Sequence, residues 1–308
     1  MPQDEDELYG AVEAGGTKFN CAMMTPAREI IATKRIATTV AAETLEEVVA
    51  FFAPKRKSLI AVGVASFGPI DLDKESSTYG FITTTPKPGW QNADVVGTLH
   101  RQLGVPVGWD TDVNGAALAE SRWGAAIGCD PAVYITVGTG IGGGAIVNGK
   151  PLHGLMHPEM GHLAVKRLDG DNFPGICPYH GDCLEGMISG PALERRNNKP
   201  GEEVSADDPI WNLVAQYLAG ALLPIVHVLS PKRIIIGGGV GSRPELLEKV
   251  MARLLVLNNH YVQPLDAAAD LIAAPGLGSQ SGVMGAFELA RQAAAAPHLV
   301  SPEAVRTV

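Results

Sequence analysis

The chain is predicted to fold as two α/β domains built on one plan and facing each other across a cleft. Three observations lead there. A strand, a glycine turn and a second strand occur at 9–24 and recur at 132–147. Short apolar runs then alternate with stretches of helical spacing, as in layered α/β folds. Finally, 308 residues exceed the usual single core. The expected division is 1–111 for a small N-terminal domain, completed by a C-terminal helix over about 290–308, and 112–289 for a larger domain. There is no short fixed period, so a solenoid is excluded.

Taken in order, Tyr9 to Ala14 reads as a buried strand, Gly15-Gly16-Thr17-Lys18 as a turn and Phe19 to Met24 as the returning strand. A third strand is expected around Ile30 to Ile36 and a helix over Thr44 to Ala53, where Leu45, Val48, Val49 and Phe52 recur at helical spacing. Leu59 to Ser66 is a buried strand ending at Phe67-Gly68-Pro69. Pro86 and Pro88 make TTTPKPGW irregular. Asn92 to Leu103 reads as a helix and Val105 to Trp109 as a strand. The acidic segment Asp110-Thr111-Asp112 then opens an alanine-rich helix. Ala132 to Val137 is a strand, followed by GTGIGGG as a glycine loop and Ala145 to Val147 as a strand. Helices follow at 189–197, 209–229 and 244–257, with the strand Arg233 to Ile236 running into Gly237-Gly238-Gly239. A short strand at 270–273 and a long helix at 281–295 close the chain.

Composition narrows the function. A formal charge of −9 argues against nucleic acid as a partner, because phosphate binding leaves a basic footprint. Four cysteines do not make a disulfide scaffold and fit a reducing compartment. The acidic N-terminus lacks the basic and apolar pattern of a signal segment, and the apolar stretch 217–229 is short for a membrane span. A cytoplasmic protein with no membrane partner is expected.

The densest chemistry lies in HPEMGHLAVKRLDGDNFPGICPYHGDCLE, from His157 to Glu185. Cys177, His180 and Cys183 stand three residues apart, and His162 supplies a fourth ligand. Two thiolates and two imidazoles suit a closed tetrahedral zinc site, structural rather than hydrolytic. A Cys177–Cys183 disulfide is the alternative. Glu159 and Glu185 are carboxylates that such a metal does not need, and they point to a hydroxylated ligand. Gly138-Thr139-Gly140-Ile141-Gly142-Gly143 satisfies the dinucleotide fingerprint, but a strand follows where that fingerprint needs a helix. What remains is an anion nest of backbone N–H groups, or a plain hairpin turn. Gly15, Gly16, Thr17 and Lys18 form a second glycine turn able to face phosphate, and Glu13 before it could reach a phosphate-bound magnesium. Asp112, at a helix N-terminus, is either the base for an attacking alcohol or a simple N-cap. Gly237, Gly238 and Gly239 permit close approach of an adenine ring or merely lead into the next helix. His153 and His157 read as surface residues, and Cys21 and Cys129 as buried small hydrophobes.

EAGGTKF, DTDVNGAALAE, ITVGTGIGGG, HPEMGH, CPYHGDCLEG and IIIGGGV, in this order, resemble the ROK family of bacterial sugar kinases from about Tyr9 to Ala290. EAGGTKF with TPKPGW resembles its fructokinase branch. The resemblance implies the actin-like, ribonuclease-H-like ATPase fold with an interdomain cleft, usually in a homodimer. It implies transfer of phosphate from MgATP to a sugar, here D-fructose at its 6-hydroxyl. By position Asp112 matches the catalytic base. Asn114, Glu159, His162 and Glu185, with the Gly68-Pro69 turn, match the sugar side. Gly15–Lys18 and Thr139, Gly140, Gly142 and Gly143 match the phosphate loops, and Gly237–Gly239 the adenosine segment. The chain departs from the family pattern in having Glu13 where Asp is common, His180 in place of a zinc cysteine, and Pro86-Lys87-Pro88 where glucose-preferring members carry Asn. The last departure favours a ketose, with mannose still open. Glucose or N-acetylmannosamine as substrate, or a non-catalytic sugar sensor, are the alternatives. With the first strand at Tyr9, no room is expected for a DNA-binding helix-turn-helix.

Overall fold

A computed structural model describes residues 7–295. In chain order its elements are β1 (Leu8–Ala14), β2 (Lys18–Met24), β3 (Ile30–Ala37), α1 (Ala41–Phe52), β4 (Leu59–Ser66), β5 (Phe81–Ile82), β6 (Ala93–Asp94), α2 (Val95–Leu103), β7 (Val107–Thr111) and α3 (Asp112–Trp123). There follow β8 (Ala132–Val137), β9 (Ile141–Val147), β10 (Lys150–Pro151), α4 (Leu184–Ile188), α5 (Gly190–Asn197) and α6 (Ile210–Leu229). The last are β11 (Arg233–Gly237), α7 (Gly238–Gly241), α8 (Pro244–Asn258), α9 (Gln263–Asp266), β12 (Ile272–Ala273) and α10 (Ser281–Ala295).

Two compact units result. Unit 1 takes the residues up to Ala119, Gly154–His157 and those from Gln280 on; unit 2 takes Glu120–His153 and Pro158–Ser279. The limits expected at 111 and 289 therefore move, and packing explains both shifts. The first half of α3 lies against unit 1, where a Cβ on Gly115 would stand 2.8 Å from that of Ala65. All of α10 packs on β1, β4 and β7. The part of the expected terminal helix beyond Ala295 lies outside the described residues.

The two sheets repeat one topology. Unit 1 is ordered β3-β2-β1-β4-β7 and unit 2 β10-β9-β8-β11-β12. In each, three antiparallel neighbours come first in the chain and two parallel strands are added on the far side. Central β1 and β4 are almost continuously buried, as strands covered on both faces must be. Edge strand β3 alternates and carries Lys34 and Arg35, which discourage further pairing. In unit 1 Val12, Phe19, Ile36, Phe52, Trp90 and Leu99 form the core; in unit 2 Ile135, Trp211, Leu218, Leu222, Ile234 and Leu246 do so.

Local chemistry sets the boundaries. Asp94 caps α2 by accepting the Gly97 N–H at 2.8 Å, and Gly104 ends it at φ 70°. Thr111 caps α3 through the Asn114 N–H at 3.1 Å. Gly63 and Gly108 are bare because α10 lies on them: a Cβ would stand 1.8 Å from the Ala286 carbonyl oxygen and 2.2 Å from that of Leu289. In unit 2, fully buried Glu120 accepts three backbone N–H groups, from Ala125 at 2.7 Å, Gly276 at 2.9 Å and Leu277 at 3.0 Å. Helix α6 is long and apolar enough to cross a membrane by length and composition, and it supplies much of the unit 2 core.

Candidate functional site

In unit 2 the metal-type cluster is assembled as the spacing implied. One ligand atom from each of His162, Cys177, His180 and Cys183 lies within 4.8 Å of the others. Cys177 Sγ is 3.7 Å from Nδ1 of both His162 and His180, and Cys183 Sγ is 3.5 Å from His162 Nδ1. Zn–S bonds of about 2.3 Å and Zn–N bonds of about 2.0–2.1 Å give a tetrahedral S···N edge of about 3.6 Å. The donor set fits zinc in kind and in size. Both cysteines are unbridged, so the disulfide alternative is not realised. The knot is tied by reciprocal backbone bonds between Cys177 and Gly181, with Gly181 at φ 66°.

A second network braces the loop before the knot. Arg196 makes a bidentate pair with Asp171 at 3.0 and 2.9 Å and stacks 4.0 Å above the Phe173 ring. Tyr217 donates its hydroxyl to the same carboxylate at 2.5 Å. Burial alone would raise the Asp171 pKa. The bonds from Arg196, Tyr217 and the Phe173 N–H outweigh it and hold the carboxyl down at about 2.

The glycine loop is shorter than expected. Only Gly138 to Gly140 separate β8 from β9; Gly142 and Gly143 are strand residues paired with Thr136 and Ile135. Their composition imitates a turn for a packing reason, since a Cβ on Gly143 would meet Met160 at 2.7 Å. Glu185, in the first turn of α4, reaches back and accepts the Ile141 N–H at 2.8 Å. Glu159 precedes the tight turn Met160–His162 and keeps solvent access. The protein packed around its carboxyl, and then the charge of Glu185, push its pKa up to about 7. Gly237 is the buried end of β11, and a Cβ on Gly238 would stand 2.4 Å from the Val137 carbonyl oxygen. Close approach there serves β8 itself; Gly239 is the exposed member, with open space around it.

In unit 1, Asp112 opens α3, is half-buried, and accepts its neighbour Val113's N–H at 2.9 Å. Fully buried Asn114 donates to Asp110 at 2.7 Å, bracing the segment from within. The Gly15–Lys18 turn is exposed beyond Gly15. It is held by Thr38, whose hydroxyl donates to the Gly15 carbonyl at 2.7 Å and whose N–H bonds Thr17 O. Glu13 accepts from Asn20 Nδ2 at 2.7 Å and lies against Gly282. TPKPGW is anchored by buried Trp90, whose indole donates to Thr39 O at 2.8 Å.

Two expectations need correction. His157 is no surface residue: it is 4 % exposed, and its Nε2 accepts the Ile70 N–H at 3.1 Å beside Gly68 and Pro69. Cys129 is half-buried, whereas Cys21 is buried and its thiol is pushed up to about 12 by that burial. His157 and the Glu185–Ile141 bond both escaped sequence reasoning, because their partners lie 87 and 44 residues away.

A family model described as "ROK family" matches residues 9–293. The chain is 44% identical to the fructokinase of Zymomonas mobilis subsp. mobilis, over 94% of this chain and 98% of that protein. It is 43% identical to the fructokinase of Lactococcus lactis subsp. cremoris, over 92% and 96%. Among solved structures, the ROK hexokinase from Thermus thermophilus matches with a TM-score of 0.75 at 26% identity, over 92% of this chain and 98% of that one. A ROK family glucokinase from Streptomyces griseus, in complex with glucose and AMPPNP, matches with a TM-score of 0.70 at 26% identity, over 92% and 99%. The actin-like sugar-kinase fold is therefore that of this chain.

Proposed function

Because the chain belongs to the ROK family, we propose that it is an ATP-dependent fructokinase, acting in the cytoplasm on a free sugar. One observation carries the reading: relatives named fructokinase share 43–44% of their residues with this chain over nearly its whole length. TPKPGW, held in place by Trp90, supports a ketose over glucose; mannose is the competitor to test.

In this reading the 6-hydroxyl oxygen of fructose attacks the γ-phosphorus of ATP. The new O–P bond forms as the bond to the β–γ bridging oxygen breaks, and ADP leaves. Asp112 takes the hydroxyl proton. It sits in the first turn of α3, which fixes its carboxylate as an acceptor. Glu159, His162 Nε2 and Glu185 orient the sugar hydroxyls, the Gly68-Pro69 turn is assigned to the sugar as well, and Asn114 steadies the Asp112 segment. The N–H groups of Thr139 and Gly140 and the Thr139 hydroxyl receive phosphate oxygens, as do Thr17 and Lys18 from the other turn. Gly239 offers open backbone for adenine. Magnesium brought with ATP supplies neutralising charge; the Glu13 carboxylate, an oxygen donor, would hold it directly or through water. Zinc on His162, Cys177, His180 and Cys183 would be structural. We further propose a homodimer, with neither nucleic acid nor membrane as partner.

The test is a coupled ADP-release assay with MgATP over fructose, mannose, glucose and N-acetylmannosamine. Fructose should lead by about tenfold or more in kcat/KM, which is ~1.4 kcal/mol of transition-state preference. Equal rates would remove the fructose assignment, and no turnover on any sugar would leave a sensor. Chelation should strip one zinc per chain and lower the melting temperature; a metal-free protein of unchanged stability would remove zinc from the structure.

A further inference from the structure

The loop from Gly138 to Gly140 is fastened at both ends, at one by α5 and at the other by Glu185. At its start, the N–H of Gly190, the first residue of α5, donates to the Gly138 carbonyl at 2.7 Å. Within it, the Gly138 N–H donates to Gly140 O at 2.9 Å. At its end, Ile141 is gripped on both polar groups. Its N–H goes to Glu185 Oε2 at 2.8 Å. Its carbonyl oxygen lies against Gly161 of HPEMGH, where a Cβ would stand only 1.7 Å away. Gly140 is fitted to the same carboxylate, since a Cβ there would lie 2.8 Å from Glu185 Oε2. Glu185 in turn follows Cys183, a member of the metal-type cluster, by two residues.

A carboxylate accepts on both oxygens, with about four lone-pair sites. With Oε2 committed to Ile141, Oε1 remains to receive a sugar hydroxyl. We propose that Glu185 is a positioning residue for the phosphate loop as well as a sugar ligand, so that one side chain sets the shape of the loop that meets the nucleotide. This rests on the kinase reading and extends it: nucleotide affinity becomes a property of the sugar-side motif even when no sugar is bound. Whatever free energy couples the two ligands through Glu185 acts equally in both directions.

The discriminating experiment measures MgADP affinity calorimetrically, without sugar, on zinc-loaded protein. Glu185→Gln keeps a carbonyl oxygen for the Ile141 N–H. It should bind MgADP within about twofold of the unmodified chain while its fructose KM rises, because it has lost the charge that receives the sugar. Glu185→Ala removes the acceptor and should weaken MgADP about tenfold or more. Gly140→Ala pushes the carboxylate aside and should weaken MgADP too. The double variant, in which the missing side chain leaves room for the new methyl, should be no weaker than Glu185→Ala alone. Zinc content and melting temperature are read in parallel, and the Gly140 variants carry the test if Glu185→Ala does not fold. Unchanged MgADP affinity in Glu185→Ala, or strictly additive losses in the double variant, would overturn the proposal. Failure of the unmodified chain to phosphorylate any sugar would instead remove the kinase reading beneath it.

Discussion

In unit 1 the turn between β1 and β2 is anchored at its base by Thr38 but open at its tip. Gly16 has nothing within 4 Å of where a Cβ would be, and Gly16, Thr17 and Lys18 are all exposed. In unit 2 the turn between β8 and β9 occupies the same place in an equivalent sheet, yet it is wedged: Gly138 is bonded to Gly190 and Ile141 to Glu185, while Gly140 packs close to Glu185 and Gly161 close to the Ile141 carbonyl. Glycine therefore has two meanings in one repeated topology. In the first turn it leaves backbone open to a ligand; in the second it lets backbone and side chains of the same unit close in. The open tip lies in unit 1, and the wedged turn in unit 2.

The largest effect that would sharpen this contrast lies in unit 1. Asp112→Asn should lower kcat by ~10²–10⁴-fold, with fructose and MgADP affinities retained, because the amide keeps the shape of the carboxylate but cannot take the proton. Rapid-quench turnover checks it, and near-normal kcat would remove Asp112 as the base. Next comes a wedge position: Gly161→Ala should destabilise the protein by about 3 kcal/mol in denaturant titration, since the methyl has nowhere to go but into the Ile141 carbonyl. A neutral result would mean that the loop is not wedged at Gly161.

A smaller effect follows from Asp171. Its carboxyl is depressed from the ordinary 3.8 to about 2, so the unfolded chain binds the proton first as pH falls. Its contribution is present above about pH 4 and lost as pH drops through about 2. The amount is ~2 kcal/mol. Asp171→Asn should flatten that part of the acid-unfolding curve, and an unchanged curve would show that Arg196 is satisfied elsewhere. The smallest effect is expected at Gly16→Ala. Stability should stay within ~0.5 kcal/mol or rise slightly, because the unfolded chain loses freedom and no neighbour is displaced. A large loss would erase the distinction between the two turns.

Much of this was legible in the chain because it is written locally. The strand 132–137 and the helix 281–295 fall where periodicity puts them, and Cys177, His180 and Cys183 announce a shared ligand by spacing alone. What was illegible is what depends on distant partners. The run Gly142-Gly143-Gly144 reads as loop until Met160 is seen to fill the space of the missing side chain. His157 looks like a surface residue until Ile70 supplies its hydrogen bond, and nothing near Asp171 in sequence points to Tyr217, 46 residues on. No periodicity encodes such pairs, because only the closed fold sets their separation.

The bare seats at Gly63 and Gly108 carry a consequence for how the protein is made. Translation proceeds from the N-terminus, so β1, β4 and β7 leave the ribosome well before α10, which lies on those glycines. Unit 2 has all its sequence available once Ser279 has emerged. The first sheet to be synthesised is thus the last to be covered, and until then its apolar, side-chain-poor surface is open to whatever a nascent chain meets.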